Sequence, residues 1–384
     1  MGIVDSIYGT VVIHDKDIGN LMETKAFQRL SHIKQQGHTY YLHPNATHTR
    51  IEHSIGVYVL VNKVINHLTA IGDIHFSKYE RKVVSVVALL HDIGHGPYSH
   101  CFQRISGQDH ADWTIRIIKE DKEVRNILGR THGLLEDVIQ VLSEENAFPI
   151  IDEILFLSLG MDQLDFWNRD LYYSSLGLER VPIEKLISTM RIVNQKLVIE
   201  EAGVPYIEHL VKVKKSLYDN GFGHPFIVGK DLLLQEIFRM MQEEKTPFVT
   251  SELKVFFNKK EGERCITDFL ALNDENICNE IKILSMNKET EIADLAHLYL
   301  SSSSSLQWME RKKPNSKINR EDISILGVIT EKKNYSSYTG GIFVIKDDGL
   351  YDIIHSSNYI REIVSLPLKE YTYFLEKDRI TIKK

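Results

Sequence analysis

The sequence predicts a mainly α-helical protein that ends in a small mixed α/β region. Three observations carry this. Apolar residues recur at helical spacing through most of the chain before the serine run Ser301 to Ser305. From Ile323 onward, β-branched and aromatic residues instead alternate with polar ones, in ILGVIT, GGIFVIK, IREIV and YTYFL. The serine run between the two reads as a turn or linker. The expected organisation is a helical core over 1–240, a helical extension over 241–300 and a small α/β region over 301–384.

Each element has its own signal. Val11 to His14 reads as a short strand or extended arm. Asp15 to Ile33 reads as a helix, with Ile18, Leu21, Met22, Phe27 and Leu30 near helical period and Asp15 or Asp17 available as N-cap. Gly37 to Thr47 reads as a loop rich in Gly, Pro, Asn and His. Thr49 to Ile71 and Tyr79 to Asp92 read as long apolar helices, the second ending at Gly94. Further helices are expected over Asp112 to Lys119, Leu134 to Leu142, Met161 to Ser174 and Ile207 to Phe222, then on to about Met241. Arg191 to Glu201 reads as two short strands around an Asn-Gln turn. Charged helical stretches follow to about Leu300.

Composition excludes several classes. The net charge of −7 gives no whole-chain reason to expect nucleic acid as the main partner, although a local basic cleft remains compatible with it. The patch Arg311-Lys312-Lys313 reads first as a solvated surface. Three cysteines show no CxxC spacing, which fits a reduced, cytoplasmic chain. No apolar run reaches the roughly 20 residues of a membrane span. Met1-Gly2 followed by Ser6 fits a myristoylation pattern only formally.

The chemistry is concentrated near the front. Of 17 histidines, most lie before residue 111. The densest run is His91-Asp92-Ile93-Gly94-His95-Gly96-Pro97-Tyr98-Ser99-His100, directly after an apolar helical stretch. Burying a His-Asp pair costs desolvation free energy, and a divalent ion offsets it, since neutral imidazole and carboxylate are both good ligands. His53, inside the preceding long helix, and Asp162, opening a later one, complete a set of two imidazoles and two carboxylates. That mixed N/O set suits Mn, Fe, Mg, Zn, Ni or Co. Taken alone, His53 reads as a core or surface histidine and Asp162 as a helix cap; beside the His-Asp pair both read as ligands. Arg50 sits one turn before His53. A cation beside a metal ligand makes sense where an anion such as a phosphate bridges both. Asp162, Phe166 and Asp170 share one helix face, as do Lys214, Tyr218 and Phe222.

These motifs resemble the HD-domain superfamily of phosphohydrolases. The resemblance is closer still to the deoxynucleoside triphosphate triphosphohydrolases, among them the sterile-alpha-motif/HD-containing enzyme and bacterial dGTPase-like proteins. It covers roughly residues 3 to 240 and rests on AFQRL with IKQ, TRIEHSIGV, HDIGHGPYSH, DQLDF with Arg169-Asp170, and SLY with His224-Pro225. It implies an HD-domain helical core with His53, His91, Asp92 and Asp162 as metal ligands. It further implies proton transfer by His95 and His110, and phosphate contacts from Arg50, His100 and Lys214. Gln35 and Asp170 would meet the sugar 3′-hydroxyl, and Phe166, Tyr218 and Phe222 would wall the nucleoside. A homo-oligomer and an allosteric nucleotide are also implied.

Several positions depart from the family pattern. Gln103 stands where an aspartate is usual and Ala111 where a glutamate is usual. Gln163 replaces a lysine, Phe166 and Phe222 replace tyrosines, and Lys214 replaces an arginine, losing its bidentate fork. The expected function is therefore hydrolysis of a nucleotide, first of a dNTP to deoxynucleoside and triphosphate. The alternatives are an HD-type monophosphatase or phosphodiesterase, and a nucleotide-sensing or nucleic-acid-binding regulator with little turnover.

Overall fold

The structure is a computed structural model that describes residues 1–301, 307–311, 325–331, 337–365 and 370–376, apart from positions 144, 146, 288, 289 and 348. It is mainly helical. The first element is a hairpin, Gly2–Asp5 paired antiparallel with Gly9–Val12. Asp5 closes its turn, since its Oδ1 accepts from the Ile7 and Tyr8 amides at 2.8 Å each.

The helix expected over 15–33 is broken. Asp15 caps Lys16–Glu23, and Thr24 then turns extended and caps Lys25–Gln28 itself. Arg29–His32 tightens into a 3-10 turn. A continuous periodic pattern hides such a break, because the apolar residues stay on one side of it.

Two helices form the spine of the site. Arg50–Ala70 begins at Thr49, where the Glu52 side chain reaches back to accept from the Thr49 amide at 2.7 Å. Lys78–Leu90 starts from a Ser77/Glu80 capping box and buries Val83 through Leu90 without interruption. They pack on each other, and Arg50–Ala70 packs also on Met161–Ser174, whose bounds are those the sequence predicts. Behind that helix lies Val204–Asn220, and Phe222 falls beyond its end rather than on it.

Helices after residue 250 brace the core. Phe269 stacks on Trp113 with ring centroids 4.1 Å apart. Asp274 accepts from the amides of Lys34 and Tyr98 at 2.9 and 2.8 Å. Glu291–Leu300 packs on Pro225–Glu243.

The predicted Asn-Gln hairpin forms between Met190–Val193 and Lys196–Glu200, with Asn194 and Gln195 both at positive φ. Two late strands, Phe343–Lys346 and Gly349–Asp352, extend it into a four-stranded sheet, and the first of them pairs in parallel with Lys196–Glu200. A separate three-stranded sheet joins Gln307–Arg311, Glu370–Glu376 and Ile325–Glu331. The IREIV segment expected as a strand lies instead within the helix Asn358–Ser365. Ile360 is its buried residue, and Ile363 packs partly against the core one turn on; that is helical spacing within a short β-branched run. Lys312 and Lys313 of the basic patch, and Ser302 to Ser305 of the serine run, lie outside the described residues. No helix among the described residues is long and apolar enough to cross a membrane.

Candidate metal centre and acid–base cluster

The spine and the helix Met161–Ser174 bring four donors to one place. His53 Nε2 lies 3.0 Å from Asp162 Oδ1 and 3.3 Å from His91 Nε2. Asp92 presents Oδ1 at 3.5 Å from His91 Nε2 and Oδ2 at 3.7 Å from His53 Nε2. Ligand atoms of His53, His91 and Asp162 all fall within 4.8 Å of one another.

The far nitrogens are already committed. His91 Nδ1 faces the Ala88 carbonyl at 3.0 Å, and His53 Nδ1 faces Asp165 Oδ2 at 2.8 Å. Each ring therefore carries its hydrogen on Nδ1 when neutral and turns the Nε2 lone pair inward. This donor set fits a divalent ion. Four groups carrying two negative charges, with their outer nitrogens oriented, match mixed N/O coordination.

Without an ion the same groups hold protons. Burial disfavours a charged His53, yet its hydrogen bonds to Asp162 and Asp165 outweigh burial and lift its pKa to about 10. Burial likewise opposes ionisation of Asp165, but Arg169 and His53 bring it down to about 2. Asp92 is buried too, and Arg50 followed by the neighbouring imidazoles holds it well below the usual carboxylate range.

Asp165 is the residue that spacing alone does not single out. It lies one turn after Asp162 and one turn before Arg169, which grips it with Nε at 2.9 Å and Nη2 at 3.0 Å. All three positions share a helix face, and that was the available signal. The approach depends on Gly56. A Cβ there would stand 2.0 Å from Asp165 Oδ1 and 2.4 Å from Arg169 Nη2, so only glycine lets the pair slide beneath His53.

Three more imidazoles lie alongside. His95 stacks on His110 at 4.0 Å between centroids, and His100 meets both edge-on. Lone pairs lie in the ring plane, and near-parallel planes 4.0 Å apart cannot aim at one ion. The stacking of His95 on His110 is therefore a poor arrangement for a second cage. Burial, and for His95 and His100 the neighbouring Arg50, lowers the pKa of all three, His95 the most. His110 Nδ1 faces Gln103 Oε1 at 3.1 Å, and Gln103 Nε2 donates to Asp109 Oδ2 at 2.6 Å. Asp109 Oδ1 also lies 3.1 Å from His110 Nδ1. A carboxylate is therefore present beside His110, from a position the sequence reading passed over.

The loop carrying His95 is built under strain and heavily tied. Tyr98 and Ser99 both adopt left-handed φ, at 52° and 55°. Arg29, itself buried, donates to the His95 carbonyl at 2.8 Å and the Leu272 carbonyl at 2.9 Å. Gly94 lets the His110 helix approach; a Cβ there would lie 2.2 Å from the His110 carbonyl. Arg50 bonds Asp92 through Nη1 and Ser99 Oγ through Nε, the latter at 2.8 Å.

The residues expected on the nucleoside side fall into separate sets of contacts. Phe166 places its ring 6.2 Å from that of His53 and 5.8 Å from that of Phe222. Asp170 Oδ1 is bonded to His48 Nε2 at 2.7 Å, and the Gln35 amide donates to the His48 carbonyl at 3.0 Å. Gln35 Oε1, His48 Nδ1 and Asp170 Oδ2 are buried without a protein partner. His48 thus joins the candidate residues, from a loop that has no period. Lys214 Nζ donates to Gln163 Oε1 at 2.9 Å, and burial pulls its pKa down to about 8. The pair lines a cavity of about 170 Å³ with Trp167, Tyr338 and Gly340, and a separate cavity of about 180 Å³ is lined by His91, Asp92, His110 and Asp162.

Comparison with known proteins places the same stretch in a family. Residues 50–182 match the HD domain, so the four donors fall inside the match while Gln35, Lys214, Tyr218 and Phe222 fall outside it. The Bacillus subtilis protein YwfO is 29% identical over 300 residues, covering 77% of this chain and 69% of that protein. A Dictyostelium discoideum protein named deoxynucleoside triphosphate triphosphohydrolase SAMHD1 homolog is 31% identical over 248 residues, covering 60% of this chain and 47% of that protein. This chain therefore spans about half the length of the Dictyostelium relative. The crystal structure of a phosphohydrolase from Bacteroides thetaiotaomicron shares the fold, with a TM-score of 0.85 at 22% identity over 98% of this chain and 100% of that one.

Proposed function

We propose that this chain, which carries an HD domain over residues 50–182, is a metal-dependent hydrolase of nucleotides, acting first on dNTPs to give deoxynucleoside and triphosphate. The observation that carries the reading is the meeting of the His53, His91, Asp92 and Asp162 donors with Arg50 on one side and the stacked imidazoles on the other. HD domains are divalent-metal-dependent, and the ion would supply Lewis acidity and a water of lowered pKa.

The chain's own groups do the rest. Arg50 is held rigid by Asp92 and Ser99, and its guanidinium offsets charge on a phosphate without moving. His100 opens the helix that follows the strained turn and adds a partial charge from that end. His95 or His110, once protonated, is a strong acid because its pKa is depressed, and it delivers the proton to the departing 5′-oxygen. The orphaned Gln35, His48 and Asp170 atoms call for a hydrogen-bonding ligand, which the hydroxyls of a nucleoside sugar provide. Phe166 and Phe222 wall that zone.

One observation favours a different phosphate ester. Lys214 shares its amine with Gln163 instead of standing beside a second cation, so the grip on a long phosphate chain is thinner. Product chromatography on dNTPs, NTPs, mononucleotides and cyclic nucleotides separates the readings. Inorganic triphosphate from a dNTP supports the first. Inorganic phosphate from a monophosphate, or ring opening of a cyclic nucleotide, replaces it with the second. Tight binding without product makes the protein a nucleotide sensor.

A further inference from the structure

The hairpin at residues 2–12 is far from the metal centre in sequence but joined to it by buried charge. Asp5 Oδ2 accepts from Arg169 Nη1 at 2.9 Å. Arg169 holds Asp165, and Asp165 holds His53 Nδ1 at 2.8 Å. Each member is almost sealed from water: side-chain exposure is 3% for Asp5, 0% for Arg169 and Asp165, and 1% for His53. The Tyr8 ring lies 5.6 Å from the Arg169 guanidinium, and Ser6 Oγ meets Tyr173 OH at 3.0 Å on the same helix. The hairpin turn is thus docked on the helix that carries Asp162.

We propose that Asp5 and Arg169 are positioning residues for the metal centre, so that the N-terminal hairpin sets metal affinity through His53. The inference rests on the metal-centre reading above. Asp5 shares the charge of Arg169. With Asp5 neutral, Arg169 acts on Asp165 alone, and Asp165 becomes a poorer acceptor for His53 Nδ1–H. The ring then donates less strongly from Nε2, and it is less firmly aimed. Both effects weaken metal binding. Coupling is reciprocal, so an ion on His53 also tightens the hairpin.

The test measures manganese affinity by titration calorimetry on the full chain. Asp165→Asn is expected to weaken it about 10–100-fold, the usual cost of losing an outer partner of a metal-bound histidine. Asp5→Asn, which keeps an oxygen for the Ile7 and Tyr8 amides, is expected to weaken it several-fold. Asp17→Asn loses ion pairs to Lys82 and Arg130 elsewhere and should leave manganese affinity unchanged. Hydrogen exchange supplies a readout that simple destabilisation does not move. Manganese should slow exchange of the Ile7 and Tyr8 amides in the wild type and fail to do so in Asp5→Asn. Unchanged affinity in Asp5→Asn, or an equal loss in Asp17→Asn, overturns the coupling while leaving the metal centre intact. A wild-type chain that binds no manganese overturns both.

Discussion

Gln103 shows how one side chain orients the ring of a neighbour. Asp109 can only accept, so its contact with Gln103 Nε2 fixes the amide orientation. The amide oxygen then faces His110 and fixes the hydrogen on Nδ1. Gln103→Glu would place a carboxylate beside His110 but also against Asp109. The expected outcome is a raised His110 pKa, a hydrolysis optimum moved toward higher pH, and a melting temperature lowered by like-charge repulsion. A pH–rate profile with thermal melting checks it. An unchanged profile would remove Gln103 from the proton path. Phe222 makes a second prediction at this scale. Its ring has no hydroxyl but is fixed against Phe166 and Trp167, so a ribose 2′-hydroxyl would have to displace it, at a cost of roughly 1–3 kcal/mol. Deoxynucleotides should turn over faster than ribonucleotides, and Phe222→Ala should narrow the gap. Comparable rates for ATP and dATP in the wild type would count against it.

At the scale of elements, the close approach of two helices is what makes the centre possible. Arg50–Ala70 and Met161–Ser174 meet at Gly56, over the Asp165–Arg169 pair. Gly56→Ala must push apart groups that cannot leave without stranding a buried charge. Destabilisation should exceed the roughly 1–3 kcal/mol of simple overpacking, with a loss of metal affinity greater than that of Gly72→Ala on the same helix's exit turn. Denaturant melts with metal titrations measure both. Much of this was legible beforehand. The His-Asp run, His53 and Asp162 carry their chemistry in residue type, and Met161–Ser174 is bounded by its pattern. Asp165 was less legible, because a carboxylate one turn from a ligand looks like any charged helix face until Gly56 and His53 are brought over it. His48 and Asp109 lay in segments without period, where only the folded contacts assign a role. The 15–33 break and the IREIV helix misled for a related reason: local pattern is satisfied by more than one backbone path.

For the molecule as a whole, the buried charges tie stability to pH and metal. The folded-state pKa of His53 without an ion is about 10, above its ordinary 6.5. A raised histidine contributes stability that is fully present below 6.5 and is lost as pH climbs through about 10. A metal ion must displace that same proton, so its affinity should rise across the window and its binding should release protons. The metal-free protein is therefore expected to melt at lower temperature at pH 9 than at pH 6.5, while the gain in melting temperature from added manganese grows. A metal-dependent gain that stays flat from pH 6.5 to 9 would contradict a proton on His53 that the ion has to displace.

A divalent ion held by His53, His91, Asp92 and Asp162 is the proposal on which the rest depends. The most direct measurement is metal analysis of wild-type and Asp162→Ala proteins prepared together with manganese and desalted alike, each checked by circular dichroism for the helical fold. Manganese should be retained by the wild type and largely lost from a folded Asp162→Ala. Equal manganese in both proteins would contradict it.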